Sequence, residues 1–102
     1  MADERASTAN PDARLIATVA RAHRWSEELR TGVASSVGDL VTRHGVDQGD
    51  VSRCLPLAFL APDIVEAIIQ GRQPVELTVL RLKRIGLPLS WVEQRRLLGF
   101  ES

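Results

Sequence analysis

Val37-Gly38-Asp39-Leu40-Val41-Thr42-Arg43-His44-Gly45-Val46-Asp47-Gln48-Gly49-Asp50-Val51-Ser52-Arg53-Cys54 is the stretch on which the fold turns. Val37, Leu40 and Val41 recur at helical spacing and give a short helix one apolar side. Ser35 or Ser36 can cap it, and Asp39 suits the positive end of its dipole. His44-Gly45 ends it, because glycine accepts the left-handed backbone that a tight turn between helices needs. Val46 follows as an apolar anchor and Asp47 as a strong N-cap, and Val51, Cys54 and Leu55 form the inward side of the next helix. Leu40, Val41, Val46, Val51 and Cys54 thus have the spacing that lets two helices cross steeply over one small core, the frame of a helix-turn-helix.

The flanking sequence extends the helical pattern in both directions. Residues 1–9 are small, polar and charged without a period and read as a flexible tail; residues 10–102 read as one domain. Asn10 as cap and Pro11 at the first helical position start a long helix. Leu15, Ile16, Val19, Ala22, Trp25, Ser26 and Leu29 share one broad side of it, Arg14, Arg21, Arg24 and Glu28 the other, and Gly32 stops it. Downstream, Pro56 removes an N–H and crowds the carbonyl of Ser52, so it should end or kink the helix that contains it. Ala61-Pro62-Asp63 starts another helix, with Ile64, Val65, Ile68 and Ile69 on one apolar side and Gly71 closing it. Thr78 caps Val79–Ile85, burying Leu82 and Ile85. Ser90-Trp91-Val92-Glu93 reads as a capping box that opens a last helix, stopped by Gly99, with Phe100 folding back. Alternating β-branched residues are nowhere sustained. The expected fold is all-α, a compact bundle of about six short helices containing a helix-turn-helix, with Trp25 and Trp91 as core anchors.

Composition narrows the function classes. Hydrophobic residues at 44 % and charged residues at 25 % of 102 are enough for a single packed domain without metal or disulfides. Cys54 is the only cysteine and can form no internal disulfide, which points to a cytoplasmic chain with a core thiol. No apolar run approaches the roughly 18–20 residues that span a bilayer, so no membrane partner is expected. No Cys/His/Asp cluster has zinc-like spacing and no glycine-rich phosphate loop follows a strand. His23 and His44 read as structural. No catalytic, metal-binding or cofactor-binding residue is therefore expected, and the chain does not read as an enzyme.

In a helix-turn-helix the first helix braces against the phosphate backbone and the second enters the major groove. The residues placed to face bases are Gln48, Gly49, Ser52 and Arg53. Gln48 can pair with adenine, Arg53 with guanine or a phosphate, and Ser52 can donate to either. Asp47 is explained as a cap; Asp50 has no equally convincing role, and Gly49 weakens the helix by about 1 kcal/mol relative to alanine. Arg43, Arg81, Lys83, Arg84, Arg95 and Arg96 would track phosphates if their helices lie beside the reading helix. Double-stranded DNA is the expected partner. The 13 Lys+Arg and 13 Asp+Glu give a net charge of 0, so such a function requires the positive charge to be gathered on one face. The rival expectation is a protein-interaction or assembly domain, serving a homodimer or a recombinase partner protein. Its marks would be scattered arginines and an exposed apolar patch at Phe59, Leu60 or Phe100.

Val51-Ser52-Arg53, the run Leu57-Ala58-Phe59-Leu60-Ala61-Pro62-Asp63-Ile64-Val65-Glu66-Ala67-Ile68, then Gly71-Arg72-Gln73-Pro74 and Leu87-Pro88-Leu89-Ser90-Trp91-Val92-Glu93-Gln94-Arg95-Arg96-Leu97-Leu98-Gly99-Phe100 together resemble the C-terminal region of bacterial and phage site-specific recombinases related to resolvases and invertases. Ala20-Arg21-Ala22-His23-Arg24-Trp25 fits the same resemblance, which covers most of the chain after residue 9. The arrangement is more weakly similar to the DNA-binding part of ParB-like partition proteins. The chain departs from the recombinase pattern at Gln48-Gly49-Asp50, Cys54 and Pro56. The resemblance implies a DNA-binding module, recombinase-derived or regulatory, that lacks the separate catalytic part carrying a serine nucleophile.

Overall fold

The computed structural model describes residues 11–100. Helix α1, Ala13–Thr31, begins on Asp12, whose carboxylate accepts the backbone N–H groups of Arg14 and Leu15 at 3.0 and 3.1 Å. The expected cap Asn10 and the tail of residues 1–9 lie outside the described residues. Asp12 stands directly before the first helical residue, where a side-chain oxygen reaches the open N–H groups, so Pro11 precedes the helix instead of opening it.

Five further helices follow: α2 Val37–His44, α3 Gln48–Cys54, α4 Pro62–Ile69, α5 Val79–Arg84 and α6 Trp91–Leu98. A 3-10 segment, Leu55–Phe59, joins α3 to α4. No strand occurs among the described residues, so the protein is all-helical, with six α-helices there. Pro56 explains the change of pitch: it cannot donate to Ser52, and α3 gives way to the tighter 3-10 winding one residue before it. Ser36, Asp47, Thr78 and Ser90 each cap the helix that follows. At the last of these only half of the expected box forms. Ser90 accepts the Glu93 N–H at 3.3 Å, while the Glu93 carboxylate turns to Arg96 Nη1 at 2.6 Å.

The long helix serves two cores. Its first half supplies Leu15, Val19 and Ala22 to a large cluster with Leu57, Leu60, Ala61, Ile64, Ile68, Leu77, Leu82 and Leu98. Its second half supplies Trp25 to a smaller cluster with Ala34, Leu40, Val51 and Cys54, which lies under α2 and α3. Gly45 makes that smaller core possible. At φ 64° and ψ 39° it ends α2, and only Val46 and Asp47 intervene before α3. Thr18, unassigned in the sequence pattern, is buried on the same side of α1 because its hydroxyl donates to the Arg14 carbonyl at 2.7 Å.

Two apolar residues stand outside the core against expectation. Ile69 is exposed because the buried side of α4 runs through Ile64, Ala67 and Ile68, one residue round the helix. Trp91 is 48 % exposed: α6 turns Gln94 and Leu98 inward, and the indole lies at the rim, donating to the Phe59 carbonyl at 3.3 Å.

Gln94 is fully buried and replaces the missing anchor. Its Oε1 accepts the Ala61 N–H at 2.8 Å, and its Nε2 donates to the carbonyls of Phe59 at 3.1 Å and Pro88 at 2.8 Å. Ala61 precedes α4 and has no capping side chain, so Gln94 satisfies from α6 a backbone group that the local sequence leaves open. Gln94→Leu keeps the size but strands the Ala61 N–H and the Pro88 carbonyl, each worth roughly 1–3 kcal/mol, and leaves the Phe59 carbonyl to Trp91 alone. The thermal midpoint should fall by about 10 °C or more; a loss of only a few degrees by circular dichroism would contradict this role.

Candidate nucleic-acid interface

Helix α3 divides cleanly into a buried and a free side. Val51 and Cys54 have no exposed surface, whereas Gln48, Ser52 and Arg53 point outward. The side chains expected to face bases are therefore neither packed against α1 nor hidden under α2. Gly49 lies among them, with the ends of two neighbouring side chains over it. A Cβ there would come within 3.0 Å of Asp47 Oδ2 and 3.2 Å of Arg53 Nη1. The Arg53 guanidinium thus lies back across α3 in the space left by the absent side chain, beside the carboxylate that caps the helix.

Asp50, which sequence left without a role, joins three helices. Lys83 Nζ from α5 meets its Oδ1 at 2.6 Å and Arg21 Nη2 from α1 stands 4.0 Å from its Oδ2. The Cys54 thiol approaches Oδ1 at 4.0 Å. The Lys83 hydrogen bond, helped by the positive charges of Lys83, Arg21 and Arg53, outweighs partial burial and holds the Asp50 carboxyl below the usual carboxylate range. The carboxylate that would oppose a nucleic acid thus turns sideways into a cationic pair instead of standing among Gln48, Ser52 and Arg53.

The other expected phosphate-tracking residues are dispersed. Arg43 Nε lies 3.7 Å from Glu28 Oε1, the same oxygen that His44 Nε2 contacts at 3.0 Å. Arg81 Nη2 donates to the Leu97 carbonyl at 3.3 Å. Arg95 holds Asp63 through two contacts of 2.8 and 3.0 Å, and that hydrogen bonding keeps the Asp63 carboxyl below its ordinary range. Arg96 pairs with Glu93. Lys83 meets α3 through its side chain, while Arg81, Arg95 and Arg96 make these contacts with α4 and α6. Arg53 and Arg84 are exposed and form no ion pair among the described residues.

Arg21 was missed. Its spacing of four from Trp25 was the available signal, because that spacing stacks one side chain over the other on a helix. The guanidinium carbon stands 5.3 Å from the centre of the Trp25 ring. A second surface lies apart from α3. Phe59, Leu89 and Trp91 are exposed and, with His23, Pro62 and Val65, line an apolar groove of about 460 Å³. Of the three residues expected in an exposed apolar patch only Phe59 is exposed; Leu60 is buried at the 3-10 turn and Phe100 is half-buried against the large core. Among the described residues no group of three acidic, histidine or cysteine side chains could hold a metal, and no helix is long and apolar enough to cross a membrane.

The lowered Asp50 value fixes a pH dependence. Its stabilising contribution is complete above the ordinary aspartate value of about 3.9 and is lost as pH falls through the lower folded value. Asp50→Asn should lower the thermal midpoint at neutral pH, and the deficit should shrink as pH falls below the ordinary aspartate value and through the lower folded one, where the native carboxyl also loses its charge. An identical deficit at both pH values would contradict the ion-paired role. No known family model, curated protein or solved structure matches this chain.

Proposed function

We propose that the chain is a DNA-binding module of helix-turn-helix type without catalytic activity, with α3 as the helix that enters the major groove. The observation that carries this reading is the free side of α3: Gln48, Ser52 and Arg53 are exposed together while Val51 and Cys54 seat the helix. Glutamine and arginine match the edges of adenine and guanine, and Ser52 donates to either. Arg21 and Lys83 flank the helix and draw Asp50 away from that side. Because Arg43, Lys83, Arg95 and Arg96 already have carboxylate partners, the sequence-independent electrostatic share of the affinity is small, and base contacts must supply much of the rest.

A protein-interaction role has two observations in its favour, the dispersal of Arg43, Arg81, Arg95 and Arg96 onto partners away from α3 and the apolar groove at Phe59, Leu89 and Trp91. The two readings separate on one experiment. Titration of labelled duplex into the native chain at two salt concentrations should show binding that weakens with salt. Arg53→Ala should weaken it by roughly 1–3 kcal/mol while moving stability by no more than about 0.5 kcal/mol. No binding at low salt, binding indifferent to salt, or a large stability loss with unchanged affinity would overturn the DNA-binding reading.

A further inference from the structure

Arg21 and Lys83 come from helices far apart in sequence and converge on the two oxygens of one carboxylate, Lys83 Nζ on Asp50 Oδ1 at 2.6 Å and Arg21 Nη2 near Oδ2 at 4.0 Å. Two cations therefore face one anion, leaving an excess of positive charge. A phosphodiester carries the same charge as a carboxylate and also spreads it over two outward oxygens, so it fits the same pair of donors. Arg21 is prepared for such a ligand. Its guanidinium is held 5.3 Å from the centre of the Trp25 ring, and its Nε is buried and donates to no acceptor. The cation–π contact restrains the guanidinium, so less freedom remains to be lost when an anion arrives. The Arg21, Lys83 and Asp50 side chains are each partly open to solvent, at 41 %, 23 % and 31 % exposure, so the pair can be reached without unfolding.

We propose that Arg21 and Lys83 form a seat for one backbone phosphate of double-stranded DNA, which the Asp50 carboxylate fills in the free protein. This rests on the DNA-binding reading above and adds to it a defined contact and a restraint. Duplex binding exchanges one anion for another at the flank of α3. Asp50 keeps the two cations ordered and lowers affinity for nucleic acid of any sequence.

The test is the salt dependence of duplex binding by the full chain, with folding followed by circular dichroism. Arg21→Gln and Lys83→Gln should each reduce the slope of log affinity against log salt, by about 1 when combined, and weaken unrelated duplexes to the same extent. Asp50→Asn should tighten binding severalfold and steepen the slope. Should Lys83→Gln fail to fold, Arg21→Gln decides, since its ion pair is long and its loss leaves Lys83 on Asp50. Duplex binding with the native slope in Arg21→Gln and in any folded Lys83→Gln variant would overturn the phosphate seat while leaving the reading of α3 intact. A native chain that binds no duplex at low salt would overturn both.

Discussion

The burial of Trp25 is the interaction on which the α2–α3 half of the molecule depends. Helices of eight and seven residues are too short to persist alone in water, so α2 and α3 take their stability from what they cover. What they cover is the indole at the far half of α1, enclosed with Ala34, Leu40, Val51 and Cys54. Truncating a tryptophan in such a site costs about 3–5 kcal/mol, a large share of the 5–15 kcal/mol that typically holds a domain together. The same ring carries the Arg21 guanidinium and stands 6.2 Å from the His44 ring. One side chain thus seats the helix pair and aligns a cation at its edge. Gly45 lets both helices reach it, because its left-handed backbone reverses the chain within three residues.

Much of the fold was legible because its signals are local. Caps at Ser36, Asp47, Thr78 and Ser90, the stop at Gly45 and the break at Pro56 depend on residues within one turn of the feature they cause. What escaped depends on residues far apart. Gln94 meets Ala61 and Phe59 across 33 and 35 positions, and no periodicity reports a glutamine that replaces an apolar anchor. Its one trace was its place between Trp91 and Leu98 on a stripe where a polar residue interrupts the pattern. Trp91 was misplaced for the same reason: once Gln94 takes the inward position, the indole is left at the rim.

The candidate site divides along the same line. That Gln48, Ser52 and Arg53 share an outward side followed from Val51 and Cys54 pointing in. That Asp50 faces away from them did not, because its partners lie 29 and 33 positions distant on α1 and α5. Gly49 is a weakness by helix propensity, and in three dimensions the Arg53 guanidinium lies close over it. The zero net charge is not offset by a gathered positive face, since Arg43, Arg81, Arg95 and Arg96 turn to partners away from α3. Among the described residues Asp12 and Asp47 act as caps and Glu28, Asp50, Asp63 and Glu93 pair with cations, while the outward side of α3 carries Gln48, Ser52 and Arg53.

The central claim is that this side of α3 rests on a duplex. Amide chemical-shift mapping of the isotope-labelled full chain, titrated with unlabelled duplex, tests it most directly. The account predicts that the largest changes fall between Gly45 and Arg53 and at Arg21, with Leu89 and Trp91 little affected. Changes centred on Phe59, Leu89 and Trp91 with α3 silent would contradict it.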